Sequence, residues 1–230
     1  MTASALVKRY VDKIRGAIDD AGRLRAPGGD IIDRVLSDLK TGIVDNATDA
    51  LGPLLDNRDL SDIAHLLMAL LLNEMYRREE AEAALATLVS SGKATYESLY
   101  LAGDLYLDWH KPVAARHAFD QAIDLAPHAS HAHLRRGQAF SAAGDVTAAL
   151  ADMERAALLQ PNMIDAHLAL GHEYRDASMM DAAVIAYRRA LELDPNCDAA
   201  RNAMDTAIGS QIPAWHAAML NDEIRNQAFE

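Results

Sequence analysis

Along nearly the whole chain, apolar side chains return every three or four positions with polar ones between them, the rhythm of helices that bury one face. Residues 3–22 set Leu6, Tyr10, Ile14, Ile18 and Ala21 on one side and predict an amphipathic helix with a basic outer face. Pro27-Gly28-Gly29 interrupts it, and Asp30 stands where a cap for the next helix belongs. Helices are then predicted near 30–40 and 43–56, joined by Thr41-Gly42, and near 62–75 and 78–90, closed by Ser90-Ser91-Gly92. Three further pairs are predicted near 96–109 and 112–125, 130–143 and 146–159, and 164–176 and 180–193. A last helix near 198–208 carries Ala199, Ala203 and Ala207 on one side. No segment shows the strict alternation of a half-buried strand, so the expected class is all-α.

The last three pairs are copies of one unit. Pro127, Pro161 and Pro195 stand 34 residues apart, and Gly103, Gly137 and Gly171 keep the same interval. So do Ala115, Ala149 and Ala183, then Ala122, Ala156 and Ala190, and the aromatics Tyr106, Phe140 and Tyr174. A fixed period of this length marks stacked helical hairpins. Each glycine lets the first helix approach the second, with the first alanine expected opposite it and the other alanine under the next repeat. Each proline ends the second helix, because it has no N–H to donate and disfavours helical geometry in the residue before it.

At these residues, from Tyr96 to Cys197, the chain resembles the tetratricopeptide repeat family. The resemblance implies a right-handed α-α superhelix, a solenoid with clear repeats at 96–129, 130–163 and 164–197. A weaker repeat at 62–95 completes an array over 62–195, with Ala69 in the glycine column, Ala81 in the alanine column and Lys93 in place of proline. Residues 26–61 read as a degenerate hairpin, where Ala47 fits but Val35 and Asp59 replace the glycine and the proline. Residues 1–25 then cap the first hairpin, or act as a dimer or membrane-surface helix, and 198–211 cover the last apolar face.

Charge narrows the partners. The chain carries −12 in total, yet residues 1–25 hold six basic side chains against three acidic ones, so the remainder carries −15. Such an acidic body repels phosphate backbones and steers basic peptides toward itself, which argues against nucleic acid. The single cysteine, Cys197, rules out an internal disulfide and agrees with a reducing, cytoplasmic setting. It shares a column with Ala129 and Met163 and reads as a small packing residue. The apolar stretch from Ile63 to Leu72 is too short to span a bilayer, and Lys8 and Arg9 interrupt any signal-peptide core.

In the resembled family the first helix of each pair lines a concave binding wall. Carried over by column, the wall positions are Leu66, Leu70, Asn73 and Glu74, then Glu97, Tyr100, Asp104 and Asp108. The next pair offers His131, Leu134, Arg135 and Gln138, and the last Asp165, Leu168, His172, Arg175 and Asp176. The candidate binding set is Tyr100, Asp104, Asp108, His131, Arg135, Gln138, His172 and Arg175, with a protein or basic peptide as the expected partner. Reversing Asp104 and Asp108 is expected to weaken that partner and leave the array folded. A merely solvated wall is the alternative. The lysines and asparagines with which the family grips a C-terminal carboxylate are not in these columns.

Nine histidines invite a metal reading, but His131 and His133 point in different directions on a helix. His65, His133 and His167 recur one per helix, and helices packed roughly 8–10 Å apart cannot share an ion bound at about 2 Å. Packing histidines are expected, with no metal. No nucleophile–base pair, phosphate loop or paired-cysteine motif is legible, so no catalytic residue and no cofactor is assigned.

The tail from Ile212 departs from the period. His216, Met219-Leu220, Asp222, Arg225 and Ala228-Phe229 resemble the segment that opens the catalytic region of protein arginine methyltransferases. The resemblance implies that, if the chain continues, His216, Met219 and Arg225 belong to an S-adenosylmethionine site, with Arg225 as the fork for the cofactor carboxylate. A helix begun near Asn221 would still be running at Glu230, so continuation is expected. The alternative is a tail whose Trp215, Met219 and Leu220 fold back onto the last helix or into a groove. The sequence thus reads as a protein-binding module docked ahead of such a methyltransferase, with a stand-alone adaptor and a self-associating scaffold, a possible homo-oligomer, as competing readings.

Overall fold

In the computed structural model, which describes residues 4–20, 22–43 and 46–211, the predicted periodicity becomes α-helices joined by tight turns, with no strand among the described residues. The chain divides between His128 and Ala129 into two units. The first holds α1 (Ala5–Asp20), α2 (Gly29–Thr41), α3 (Ala47–Leu51), α4 (Ser61–Glu74), α5 (Arg78–Ser90), α6 (Tyr96–Asp108) and α7 (Pro112–Leu125). The second holds α8 (Ser130–Ala142), α9 (Val146–Leu159), α10 (Ile164–Asp176), α11 (Met180–Leu193) and α12 (Asp198–Gln211). From α4 to α11 the helix ends fall within a residue of their expected places, because the signals that set them are local.

Two kinds of signal do this. After α7, α9 and α11 the chain turns extended at Ala126, Gln160 and Asp194, each at φ −137°, where the following proline's ring excludes helix. Their N–H groups still bond the carbonyls of Ala122, Ala156 and Ala190, so one alanine column also closes the helix. Between the helices of each pair sits a left-handed residue: Tyr76, His110, Gly144 and Ser178 all have φ between 55° and 85°. The residue after each donates to a carbonyl five positions back, for example Lys111 to Tyr106 at 2.8 Å and Met179 to Tyr174 at 2.7 Å, which satisfies a carbonyl the helix end leaves open. Only Gly144 advertises this turn in the sequence. The other three residues adopt it because hairpin packing outweighs a local strain of about 1–2 kcal/mol.

The glycine column works as a notch, though not with the partner expected. A Cβ on Gly103 would lie 2.6 Å from the ring of Phe119, and one on Gly171 would lie 2.3 Å from the ring of Tyr187. At Gly137 the occupant is Met153, with its Cγ at 2.9 Å, and the backbone oxygen of Ala149 comes next at 3.1 Å. Of the first-alanine column, only the Ala149 carbonyl is among the three atoms nearest such a Cβ. The notch is filled by a large residue one helical turn further along, at 119, 153 and 187, a column the sequence pattern did not single out.

The N-terminal third differs more. The helix expected over 43–56 shortens to α3, and Gly52-Pro53 turns the chain into a 3-10 turn at Gly52–Leu54. Helix α2 begins at Gly29 behind left-handed Gly28, so Asp30 sits in the first turn and makes no capping bond. At the other end, Ala200 and Ala207 are the buried alanines of α12, while Ala199 is exposed. With Ala183 and Tyr187 of α11, Ala207 forms the core that α12 closes.

Gly137→Ala is expected to destabilise the second unit by about 1–3 kcal/mol, since Met153 and the Ala149 carbonyl must both give way. Gly209→Ala, with nothing within 4 Å of the added atom, should leave stability level or slightly higher, and chemical denaturation of the two variants side by side checks this.

Candidate functional site

In the first unit the wall of first helices, α4 and α6, already carries a helix. α1 packs on α2, α4 and α6, and its Val7, Tyr10, Val11, Ile14 and Ile18 are at most 1 % exposed. Ile14, Ala17 and Ile18 meet Ile63 and Leu66 of α4 and Leu101 of α6 around one small space. Burying each such side chain is worth about 1.5–3 kcal/mol, so the apolar stripe supplies most of the hold.

The polar contacts set the register. Lys13 Nζ donates to Asp104 Oδ2 at 2.6 Å, and one turn earlier Arg9 and the Tyr10 hydroxyl both donate to Asp108 Oδ2, the hydroxyl at 2.7 Å. Ser4 Oγ donates to Glu74 Oε1 at 2.6 Å. Beyond the end of α1, Arg23 Nη1 donates to Asp62 Oδ2 at 3.1 Å. Rising numbers on one side meet falling numbers on the other, so α1 runs antiparallel to both α4 and α6. The Asp104 side chain is 3 % exposed against 40 % for Lys13, so the carboxylate lies under a cation that still reaches solvent. The Arg9 pair is half-exposed and contributes about 0–1 kcal/mol.

This arrangement corrects the sequence reading of two residues. Asp104 and Asp108 lie beneath the chain's own N-terminal helix, so they are not an open acidic face. Reversing them would strip α1 of its partners and disturb the fold, contrary to the expectation of an intact array. The basic segment that the acidic wall calls for lies in the same polypeptide. Tyr100 is half-buried, with its ring 6.0 Å from Tyr96 and 5.8 Å from Phe119.

Tyr10 and Asp62 are among the groups in this region with displaced pKa values. Burial, then the charges of Asp104 and Asp108 and the bond to Asp108, push the Tyr10 hydroxyl far above the usual tyrosine range, so it stays a donor. Burial alone would raise the Asp62 carboxyl. Hydrogen bonds from Arg23 and Ser98 and the charge of Arg23 outweigh burial and hold it below the ordinary value. Ser98 Oγ reaches Asp62 at 2.6 Å and also closes the α6 capping box with Thr95, so this carboxylate ties the start of α6 to α4 and to Arg23.

In the second unit the first helices are α8 and α10. His131 and His172 are exposed, and Arg135, Gln138 and Arg175 are half-buried. Arg135 Nη1 donates to Gln138 Oε1 at 2.6 Å, and Arg175 pairs with Asp176 at 2.8 Å. His172 lies 5.5 Å from the buried Tyr187 ring, and partial burial followed by the charge of Arg175 lowers its pKa, so it is neutral at neutral pH. Ser141 donates to the buried Glu173 at 2.6 Å and joins α8 to α10.

The histidine column disperses into local bonds. His65 Nδ1 meets the Ser61 carbonyl at 2.7 Å and His167 Nε2 the Pro161 carbonyl at 3.0 Å. His133 Nδ1 lies 3.3 Å from Asp152, which Arg136 also clasps with two bonds of 2.6 and 2.7 Å. Among the described residues no three metal-ligating side chains converge, and no helix is long and apolar enough to cross a membrane. His216, Met219 and Arg225 lie outside the described residues. What sequence reasoning missed is the role of Arg9, Tyr10 and Lys13. The available signal was that Arg9 and Lys13 share the one-turn spacing of Asp104 and Asp108.

Residues 164–197 match the family model of the tetratricopeptide repeat. Among solved structures the fold resembles YrrB, described as a TPR protein with an unusual peptide-binding site, at 16% identity and a TM-score of 0.61, over 84% of this chain and 97% of that one. It also resembles MamA, at 21% identity and 0.59, over 73% and 92%. A MamA fragment from Desulfovibrio magneticus RS-1 matches at 16% identity and 0.59, over 74% and 97%. These likenesses are likenesses of fold. No curated protein sequence matches the chain.

Because the folded state lowers the Asp62 pKa, its stabilising contribution is present above the ordinary aspartate value of about 4 and fades as pH falls through the lowered one. Asp62→Asn should therefore destabilise the chain by about 1–3 kcal/mol at pH 7 and by clearly less at pH 3, as measured by denaturant unfolding at both pH values.

Proposed function

We propose that this chain, with the helical-hairpin fold of tetratricopeptide-repeat proteins, is a protein-binding module that holds segments of a partner polypeptide on the walls made by its first helices. The observation that carries this reading is α1 itself. The wall of α4 and α6 seats an amphipathic helix by an apolar stripe and a matched pair of charges, which is how a helix is recognised in a groove. YrrB, with the same fold and a peptide-binding site in its description, supports it. The proposed contacts are Tyr100, Asp104 and Asp108 in the first unit, and His131, Arg135, Gln138, His172 and Arg175 in the second. The reading assigns no catalytic residue and no cofactor to the chain. Its acidic body favours protein over nucleic acid as partner, and its single cysteine agrees with the cytoplasm.

A finer reading rests on the tail. The run from His216 to Phe229 resembles the opening of an arginine methyltransferase catalytic region, which would make the repeats the docking part of such an enzyme and S-adenosylmethionine the cofactor of its catalytic domain. Reading the gene past codon 230 decides it. A glycine-rich strand-turn-helix in frame supports the docking role, and a stop codon there ends it in favour of an adaptor.

For the module itself, peptides selected from a random display library against the full chain should lose at least about tenfold in affinity with Arg135→Glu plus Arg175→Glu, the scale of one buried charge-assisted contact. They should keep their affinity with Ile185→Ser, at an exposed position of α11. Binders indifferent to the wall pair, in a variant that keeps its melting curve, would sink the reading.

A further inference from the structure

We infer that the α4–α6 wall is a docking site for a basic amphipathic helix of another protein, and that α1 is its tethered internal occupant, displaced when such a partner binds. The inference rests on the binding-module reading and names the chemistry of one partner. Asp104 and Asp108 are one turn apart on α6, and the groups that meet them, Lys13 and Arg9, are one turn apart on α1 in the opposite direction. Behind those cations run Tyr10, Ile14 and Ile18, all buried. A helix with an apolar residue every fourth position and cations just before the first and the second of them reproduces the Tyr10-Ile14-Ile18 stripe and the two ion pairs of this contact. Exchange then replaces like with like. The incoming helix returns the apolar burial and the two carboxylate partners that α1 gives up, so the balance is set by concentration and not by lost contacts.

The connection suits a displaceable segment. The chain between α1 and α2 passes left-handed Gly22 and Gly28 and the break at Pro27, and α1 is tied to α4 and α6 through side chains, with the Ser4 N–H also donating to Glu74 Oε2 at 3.2 Å. The long-range field has the right sign for a basic partner, since the chain beyond residue 25 carries −15. A tethered competitor acts at an effective concentration of order mM, so weakening it should raise the affinity for a helix added in trans.

The test uses the full chain and a labelled synthetic peptide of residues 4–20, with fluorescence anisotropy as the readout. The Arg9→Glu plus Lys13→Glu variant should bind the peptide at least about tenfold more tightly than the unaltered chain. Adding Asp104→Lys plus Asp108→Lys should abolish that binding, since the wall then repels the peptide's cations and fits the altered α1 again. Hydrogen exchange on the unaltered chain at saturating peptide should show residues 7–18 losing protection while α4 keeps it. Unchanged protection of α1 under those conditions, or equal affinity of the peptide for both chains, overturns the proposal. A dimeric mass by light scattering without peptide overturns it in favour of a second copy's α1 as the occupant. Library-selected ligands sensitive to Arg135 and Arg175 would leave the binding-module reading standing in either case.

Discussion

The structure depends on how closely two helices of a pair can approach. At Gly103, Gly137 and Gly171 the missing side chain leaves a notch, and Phe119, Met153 and Tyr187 fill it from the partner helix. The notch and its filler are separated by 16 residues, so each crossing is fixed by contacts within one hairpin. Interiors packed this tightly do not admit another methyl group without moving a helix. The left-handed turn at positions 76, 110, 144 and 178 belongs to the same constraint, because it turns the second helix back along the first.

A wall is the consequence of that geometry. With second helices and alanine columns taking up the core, first helices are left with a face that a hairpin cannot bury by itself. In the first unit α1 covers such a face. Its apolar stripe supplies most of the energy, while Lys13 on Asp104 and Arg9 with Tyr10 on Asp108 decide direction and register. In the second unit the corresponding helices carry His131, Arg135, Gln138, His172 and Arg175, which are exposed or half-buried. One fold thus displays two different surfaces, and the difference lies in a handful of charged positions rather than in the backbone.

Much of this was legible from the chain. The prolines, the glycines and the alanines at constant interval located every helix from α6 to α11, since a helix start, a helix stop and an amphipathic face are set within a few neighbouring residues. Where such signals were mixed the reading slipped. Pro53 shortened an expected helix to α3, and Gly28 took the capping place expected of Asp30. The turn residues Tyr76, His110 and Ser178 gave no sign of their left-handed backbone, because the packing that holds them there is not local.

Alone, the sequence determined a stack of helical hairpins and the sign of charge along its walls, because periodicity and column composition survive without knowledge of contacts. Only the tertiary structure decided that the acidic wall meets the chain's own basic helix. Lys13 and Asp104 are 91 residues apart and Ser4 and Glu74 are 70 apart. With 34 acidic side chains available to any one cation, nothing short of the packed apolar stripe of α1 could choose the pair.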